Sequence, residues 1–169
     1  MGYTTPMNPK VISIVGHSGA GKTTLVEKLI RELNGRGVKV ATIKHAHHKV
    51  VLDTPGKDSY RYKEAGAAMS MLVTRNELQL VADAVDRREP EQLAQRFLGE
   101  ADLVLAEGFS LGGGAKIEVL RRACNKPPRC AIGDGLIAIV TDMDEVYPQL
   151  PHFALDDIAG ITRFILEQK

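Results

Sequence analysis

A glycine-rich loop between a β-prone run and a helical pattern constrains the fold of this chain more than any other feature. Residues 16–24 read G-H-S-G-A-G-K-T-T and match G-x-x-x-x-G-K-[ST] at each defined position. The β-prone run at 11–15 precedes the loop, and apolar residues at 25, 26, 29, 30 and 33 follow it at helical spacing. This order of strand, loop and helix is the context that a phosphate-binding loop requires.

The residue types of the loop fit that chemistry. Glycines let successive backbone N–H groups converge on phosphate oxygens, and the helix that follows adds the positive end of its dipole. Lys22 is predicted to reach the β- and γ-phosphates, and the Thr23 hydroxyl to ligate Mg²⁺. His17 occupies an unrestricted position and is predicted to be exposed. The predicted nucleotide-binding residues of the loop are Gly16, His17, Ser18, Gly19, Ala20, Gly21, Lys22, Thr23 and Thr24.

Strand and helix patterns alternate along the rest of the chain. This predicts an α/β, P-loop NTPase-like fold of three layers, in which a mostly parallel sheet carries helices on both faces. The length of 169 residues predicts a single nucleotide-binding domain, residues 1–169, with a flexible tail at 1–10. The predicted strands are 11–15, 38–43, 71–74, 78–85, 103–106, 116–120 and 136–140, with 71–74 and 78–85 as a hairpin at one edge. The predicted helices are 22–34, 58–65 with Asp58 or Ser59 as its cap, 90–98, and one that starts at Asp156 or Asp157.

Polar residues follow three of the predicted strands and should share one edge of the sheet with the loop, because ligands bind outside the carboxyl ends of parallel strands. Glu107 ends an apolar strand and is predicted to be a metal-site carboxylate, the alternative being a surface acid. Asp142 is predicted to read a guanine base, because one carboxylate can accept both N1–H and N2–H₂. A polar turn after a strand explains Thr141-Asp142 equally well.

Two further segments carry candidate residues. Asp53 begins a D-x-x-G pattern at 53–56, and it is predicted to orient the attacking water or to bind Mg²⁺, with Lys22 as the second catalytic residue. A simple turn also explains this pattern. The cluster K-H-A-H-H-K at 44–49 is predicted to bind an anion or a partner through Lys44, His45 and His48, and the alternatives are a metal site and a solvated loop.

Composition narrows the function further. The net charge of +1 gives no electrostatic reason to expect a nucleic-acid partner. Two cysteines do not make a disulfide framework, and their spacing fits no common zinc site. No apolar run reaches the roughly 18 residues of a membrane span, and the start has no signal-peptide core. These features predict a cytoplasmic protein without membrane contact.

Together these residues resemble the MobB family of molybdopterin-guanine dinucleotide biosynthesis adapter proteins. The resemblance runs from about residue 11 to residue 164, and its motifs are the loop at 16–24, K-H-x-H-H at 44–48, D-x-x-G-K-D-S…A-G-A at 53–67 and A-D-L-V-L-A-E-G-F at 101–109. It implies GTP binding, weak GTPase activity and homodimers. It also implies a partner, the MobA-like guanylyltransferase that joins GMP to molybdopterin, a step that the MobB-like protein assists without performing it.

Two other classes of function fit a phosphate-binding loop. A small-molecule kinase using ATP needs a second substrate pocket and commonly a mobile lid with arginines, and no arginine-rich insertion stands out here. The third class is a regulatory NTP-binding module without meaningful turnover. Residue patterns alone agree with the resemblance on a cytosolic nucleotide-binding protein, whereas GTP, the pathway and the partner come from the resemblance.

Overall fold

The computed structural model describes residues 8–46, 50–84, 89–144 and 146–168. They fall into two compact units, a sheet unit formed by the chain up to residue 45 and from residue 89 onward, and a hairpin unit formed by residues 46–88. The helices and strands in chain order are β1 (Lys10–Val15), α1 (Lys22–Gly35), β2 (Val40–Lys44), α2 (Asp58–Glu64), β3 (Met69–Val73), β4 (Leu78–Ala82), α3 (Pro90–Phe97), β5 (Leu103–Glu107), β6 (Lys116–Leu120), β7 (Leu136–Thr141), β8 (His152–Phe153) and α4 (Ile158–Glu167).

The sheet unit is built on six parallel strands in the order β2-β5-β1-β6-β7-β8. The predicted α/β class with a parallel sheet is confirmed. Strand β8 was not predicted, because two residues are too few to show a periodic pattern. Strand β1 begins at Lys10, whose Nζ donates to Ile165 O over 2.7 Å. Lys10 therefore belongs to the sheet and not to the predicted tail at 1–10, of which residues 1–7 lie outside the described part.

Helices cover both faces of this sheet, as predicted. Successive side chains of a strand point to opposite faces, so Ile12 and Ile14 of β1 pack on one side, while Val11 packs on the other. The first side is closed by α1 and α4, which supply the buried side chains Leu25, Leu29, Leu33, Ile161 and Ile165. On the second side Ala94 of α3 packs against Val11, Val104 and Ala106. Strand β5 is buried on both faces, which explains its uninterrupted apolar sequence.

Local signals decide where two of the helices begin. The side chain of Asp157 accepts a hydrogen bond from Gly160 N over 3.0 Å, so Asp157 caps α4 as one of the two predicted candidates. The prediction for α2 is wrong in this detail. The N-cap of α2 is Lys57, which makes no side-chain capping bond. Asp58 lies in the first turn of the helix, where its negative charge complements the helix dipole.

The hairpin unit contains α2 and an antiparallel pair of strands, β3 and β4. The predicted hairpin is confirmed, but its predicted place at an edge of the main sheet is wrong, since β3 and β4 form a separate two-stranded sheet. Alternating apolar residues predict a strand without specifying which sheet it joins. Within this unit Lys63 Nζ contacts Asp83 Oδ1 at 2.8 Å.

Two expectations about the whole chain concern thiols and membranes. Cys124 and Cys130 are free thiols. Within residues 8–46, 50–84, 89–144 and 146–168, none of the helices has the length and apolar character needed to cross a bilayer.

Replacement of Leu29 by Ala tests the contribution of the α1 side of the core. Leu29 is fully buried between α1 and the sheet, so Leu29→Ala is expected to lower the free energy of unfolding by about 2–5 kcal/mol. The matched control is Leu166→Ala on α4, where the side chain is 44% exposed and the loss should be below about 1 kcal/mol. Urea denaturation of both variants makes the comparison, and equal losses would contradict the packing described.

Candidate functional site

The phosphate loop, residues 16–24, connects the carboxyl end of β1 to the start of α1. Gly16 has a φ of +137°, and a Cβ at this position would lie 2.4 Å from the carbonyl oxygen of Val119 in β6. Only glycine can therefore bring the loop this close to the neighbouring strand. Gly21 has a φ of 98° and is the N-cap of α1, so the free N–H groups of the helix open directly into the loop.

Lys22 folds back over the loop, where its Nζ donates to His17 O over 2.8 Å. Burial lowers the pKa of the Lys22 ammonium below its ordinary value, and nearby Glu107 opposes that shift. The charges of Arg129 and Lys44 lower this pKa further. A phosphate group placed here would be attracted by Lys22, Arg129 and Lys44 together.

Glu107, the last residue of β5, connects the loop to β2. Its two carboxylate oxygens lie 3.1 and 3.0 Å from the Thr23 hydroxyl, which donates to them. Lys44 Nζ lies 3.4 Å from Glu107 Oε1, because the parallel register pairs Lys44 of β2 with Glu107 of β5. The structure therefore brings together three residues that the sequence placed at the ends of different segments.

A hydroxyl and a carboxylate next to a phosphate-binding loop fit Mg²⁺, which prefers oxygen ligands and completes its shell with water and substrate phosphates. Such a site does not need a cluster of protein ligands. Among the residues that the structure describes, no group of three or more His, Cys, Asp and Glu side chains could hold a metal ion.

The predicted histidines have different surroundings. His45 donates its backbone N–H to Glu107 O over 2.9 Å, and its ring lies 5.2 Å from that of Phe109. His48 lies outside the described residues, as does His47. The prediction that His17 is exposed is wrong, since the residue is half-buried and its Nε2 lies 2.9 Å from Pro127 O. Sequence alone missed this because residue 127 is distant along the chain.

A cavity of about 560 Å³ opens beside the loop at the same edge of the sheet and is named the rim cavity here. Its lining residues are Ala20, Gly21, Thr24, Leu25, Lys28, Val119, Arg121, Val140, Thr141, Asp142, Ala154, Leu155 and Asp156. Asp142 is therefore where the sequence predicted, beside the loop, but its Oδ1 already accepts a hydrogen bond from Arg122 N over 2.7 Å.

Some lining residues of the rim cavity were not predicted from the sequence. Asp156 and Arg121 follow β8 and β6, and Lys28 lies in the second turn of α1. Their positions after strands could have indicated Asp156 and Arg121 as candidate site residues, but β8 was not predicted. Glu118 of β6 was also not singled out. It is fully buried, and its carboxylate accepts the backbone N–H groups of Arg129 and Cys130, which fixes that loop near the phosphate loop.

Asp53 belongs to the hairpin unit. Its Oδ1 accepts the backbone N–H of Thr54 over 2.7 Å, while its Oδ2 is buried without a hydrogen-bond partner among the described residues. A buried carboxylate oxygen without a partner is uncommon and needs an explanation. The turn at Pro55-Gly56 is present, as predicted.

Comparison with known proteins identifies the family of this chain. Residues 11–142 match the sequence profile of MobB, described as molybdopterin guanine dinucleotide synthesis protein B. The chain belongs to the MobB family. A molybdopterin-guanine dinucleotide biosynthesis adapter protein of Escherichia coli (strain K12) is 34% identical over 93% of this chain and 91% of its own length. Another MobB-family adapter protein, from Haemophilus influenzae, is 42% identical over 69% of this chain and 66% of its own.

Solved structures of the MobB family share this fold. The crystal structure of Bacillus subtilis MobB superimposes with a TM-score of 0.73 at 25% identity, over 95% of this chain and 98% of that one. This similarity confirms the α/β fold predicted from the alternating pattern.

Gly16→Ala tests the close approach of the loop to β6. The added Cβ would meet Val119 O, so the loop must shift, and we expect a loss of more than about 2 kcal/mol in the free energy of unfolding. Gly19→Ala is the control, because Gly19 also has a positive φ but has no atom within 4 Å of an added Cβ. The control should lose about 1–2 kcal/mol from backbone strain alone. Chemical denaturation that ranks Gly19→Ala as the more damaging change would refute the contact.

Proposed function

We propose that this chain is a cytoplasmic GTP-binding adapter with weak GTPase activity, which assists the attachment of GMP to molybdopterin. The observation that carries the proposal is a phosphate loop with its lysine, hydroxyl and carboxylate in place, directly beside a cavity of nucleoside size. Membership in the MobB family supports the adapter role in molybdenum cofactor biosynthesis. Residues 1–169 act in this proposal as one nucleotide-binding domain.

In the proposed complex the triphosphate lies on residues 16–24. Backbone N–H groups of the loop and the N-terminus of α1 bind the phosphate oxygens, and Lys22 exchanges its contact with His17 O for the β- and γ-phosphates. The charges that lower the pKa of Lys22 are offset by the ligand, so its ammonium is stabilised when phosphate is bound.

Thr23 and Glu107 are proposed to hold Mg²⁺, directly or through water. When the metal binds, it competes with Lys44 for the Glu107 carboxylate, since both are cations at the same oxygen atoms. Asp53 is still proposed as a catalytic residue, and its Oδ2 is a buried acceptor without a partner among the described residues. Hydrolysis is proposed to be slow.

The base of the nucleotide is proposed to occupy the rim cavity. Its volume of about 560 Å³ lies within the range of about 300–1,000 Å³ found for small-molecule sites. Thr24 lines the cavity next to the phosphate loop, and Asp142 lies at the end of β7. One ligand can therefore extend from the loop into the cavity.

The partner surface is proposed to include Lys44, His45 and His48. Lys44 is the last residue of β2, and its side chain is 63% exposed. Its charge is therefore available to an anionic pterin or to an acidic surface on a MobA-like guanylyltransferase. An adapter can leave such residues exposed, whereas a kinase must exclude water from its acceptor.

A homodimer is proposed to form through one face of the β3–β4 hairpin, named the hairpin face. The register pairs Met69 with Ala82, Met71 with Leu80 and Val73 with Leu78, so all six side chains lie on one side of the two-stranded sheet. Met69, Met71, Val73 and Leu78 are between 49% and 68% exposed. A contiguous exposed apolar face is typical of an association surface.

Lys22→Ala is expected to reduce the affinity for GTP by about tenfold to a hundredfold. The charge-assisted contacts it removes contribute roughly 1.5–3 kcal/mol, and 1.4 kcal/mol corresponds to a factor of ten. Lys39→Ala is the control, because Lys39 precedes the first residue of β2, whereas the phosphate loop lies at the carboxyl ends of the strands. Calorimetric titration measures the GTP affinity of both variants. Undiminished GTP binding by a folded Lys22→Ala variant would contradict the assignment of residues 16–24 as the phosphate-binding loop.

The adapter role is tested by reconstituted guanylyl transfer to molybdopterin by the partner nucleotidyltransferase. Addition of this protein should raise the product yield, and the triple variant Lys44→Ala, His45→Ala, His48→Ala should raise it less while retaining most GTP affinity. The role is refuted if the protein never raises the yield or if the variant assists as well as the parent. Phosphate transfer from ATP to a small molecule would support the kinase alternative.

The dimer is tested by sedimentation of Met71→Glu. A charge in the centre of the hairpin face should convert the dimer to a monomer, because an unpaired carboxylate would be buried at the contact. Leu72→Glu is the control, since Leu72 is similarly exposed, at 48% against 58%, on the other side of the strand. A monomeric parent protein, or a dimer that survives Met71→Glu, is the contrary result.

A further inference from the structure

Two carboxylates line the rim cavity at its end away from β1, and only one of them can be the main reader of the base. Asp142 follows β7, and Asp156 lies in the turn between β8 and α4. Guanine presents adjacent N1–H and N2–H₂ donors, so the residue that reads it needs both oxygens of one carboxylate directed into the cavity. The hydrogen bonds of the two residues distinguish them.

Asp142 is engaged in the structure of the cavity wall. Its Oδ1 accepts the backbone N–H of Arg122 over 2.7 Å, and its carbonyl oxygen accepts from the Arg122 guanidinium over 3.1 Å. These bonds join the end of β7 to the turn after β6. The carboxylate therefore holds the backbone next to Arg121, another residue of the cavity lining.

Asp156 has no such engagement. Within the part of the chain that the structure describes, its exposed carboxylate makes no hydrogen bond or ion pair. Its neighbour differs, because the side chain of Asp157 is used to cap α4. A carboxylate without a protein partner at the wall of a ligand cavity is available to the ligand.

The backbone around Asp156 is nevertheless fixed. Asp157 N donates to Ala154 O over 3.1 Å, and Ile158 N donates to Asp156 O over 2.8 Å. The turn is thus closed on both sides of residue 156 and leads into a capped helix. Only the side chain of Asp156 then has to be ordered when a ligand binds, because its backbone already is.

The proposed function places the triphosphate on residues 16–24, of which Ala20, Gly21 and Thr24 line the rim cavity, and the inference rests on that placement. We infer that Asp156 is the residue that selects guanine, accepting N1–H and N2–H₂ through its two carboxylate oxygens, and that Asp142 is a positioning residue of the cavity wall. Adenine has an unprotonated N1 and no 2-amino group, so it would leave the Asp156 oxygens without donors and facing its N1 lone pair.

The variant Asp156→Asn tests the inference, because it is expected to gain affinity for xanthosine triphosphate. Xanthine keeps the N1–H donor of guanine but has a carbonyl oxygen at position 2. An asparagine accepts from N1–H and donates to that oxygen, whereas an aspartate repels it. Asp156→Asn should therefore bind GTP at least about tenfold more weakly than the parent, and xanthosine triphosphate at least about tenfold more tightly.

Two matched exchanges complete the experiment, with GTP, ATP and xanthosine triphosphate titrated in the presence of Mg²⁺. Asp142→Asn should lower the affinities for GTP and xanthosine triphosphate by the same factor, because Asp142 is not proposed to contact the base. The amide oxygen of the new asparagine can still accept from Arg122 N. Asp144→Asn replaces a 92% exposed carboxylate outside the rim cavity and should leave all three affinities unchanged.

The outcomes separate the two levels of the proposal. Failure of the parent to bind GTP overturns the proposed function and this inference together. A parent that binds GTP, combined with an Asp156→Asn variant that keeps the parental order of GTP and xanthosine triphosphate, overturns the inference alone. A switch to xanthosine triphosphate in Asp142→Asn or Asp144→Asn would assign the base to that residue. Misfolding cannot imitate the expected result, because only an intact site gains affinity.

Discussion

The position of β1 between β5 and β6 in parallel register is the constraint on which the rest of the site depends. The pairing with β6 brings Val119 against Gly16, where only a glycine fits, and so sets the start of the phosphate loop. The pairing with β5 ends at Glu107, whose carboxylate reaches the Thr23 hydroxyl. Because the strands are parallel, their carboxyl ends meet at one edge, and residues far apart in sequence become neighbours there.

Charged side chains are concentrated at the phosphate loop. Burial, Lys44 and Arg129 lower the pKa of Lys22, whereas Glu107 raises it, and Glu107 also lies 3.4 Å from Lys44 Nζ. The partial burial of Lys22 makes its positive charge less stable without a ligand than with one. In the proposed complex a bound phosphate would face Lys22, and a metal ion would share the Glu107 carboxylate with the exposed Lys44.

The sequence predicts those parts of the structure that short-range patterns determine. The loop at 16–24, the apolar strand before Glu107 and the cap at Asp157 each have a local signature, and all are present in the structure. Residues whose role depends on tertiary contacts were missed. His17 bonds to Pro127, the buried Glu118 fixes residues 129 and 130, and Asp156 reaches the rim cavity only because the two-residue strand β8 extends the sheet.

We propose that the phosphate loop and the rim cavity bind one guanine nucleotide together with Mg²⁺. Titration calorimetry of the full chain with GTP and ATP, each with and without Mg²⁺, measures this binding. We expect one site per chain, tighter binding of GTP than of ATP, and a loss of affinity when the metal is withheld. Equal affinities for GTP and ATP, or binding that does not respond to Mg²⁺, would contradict it.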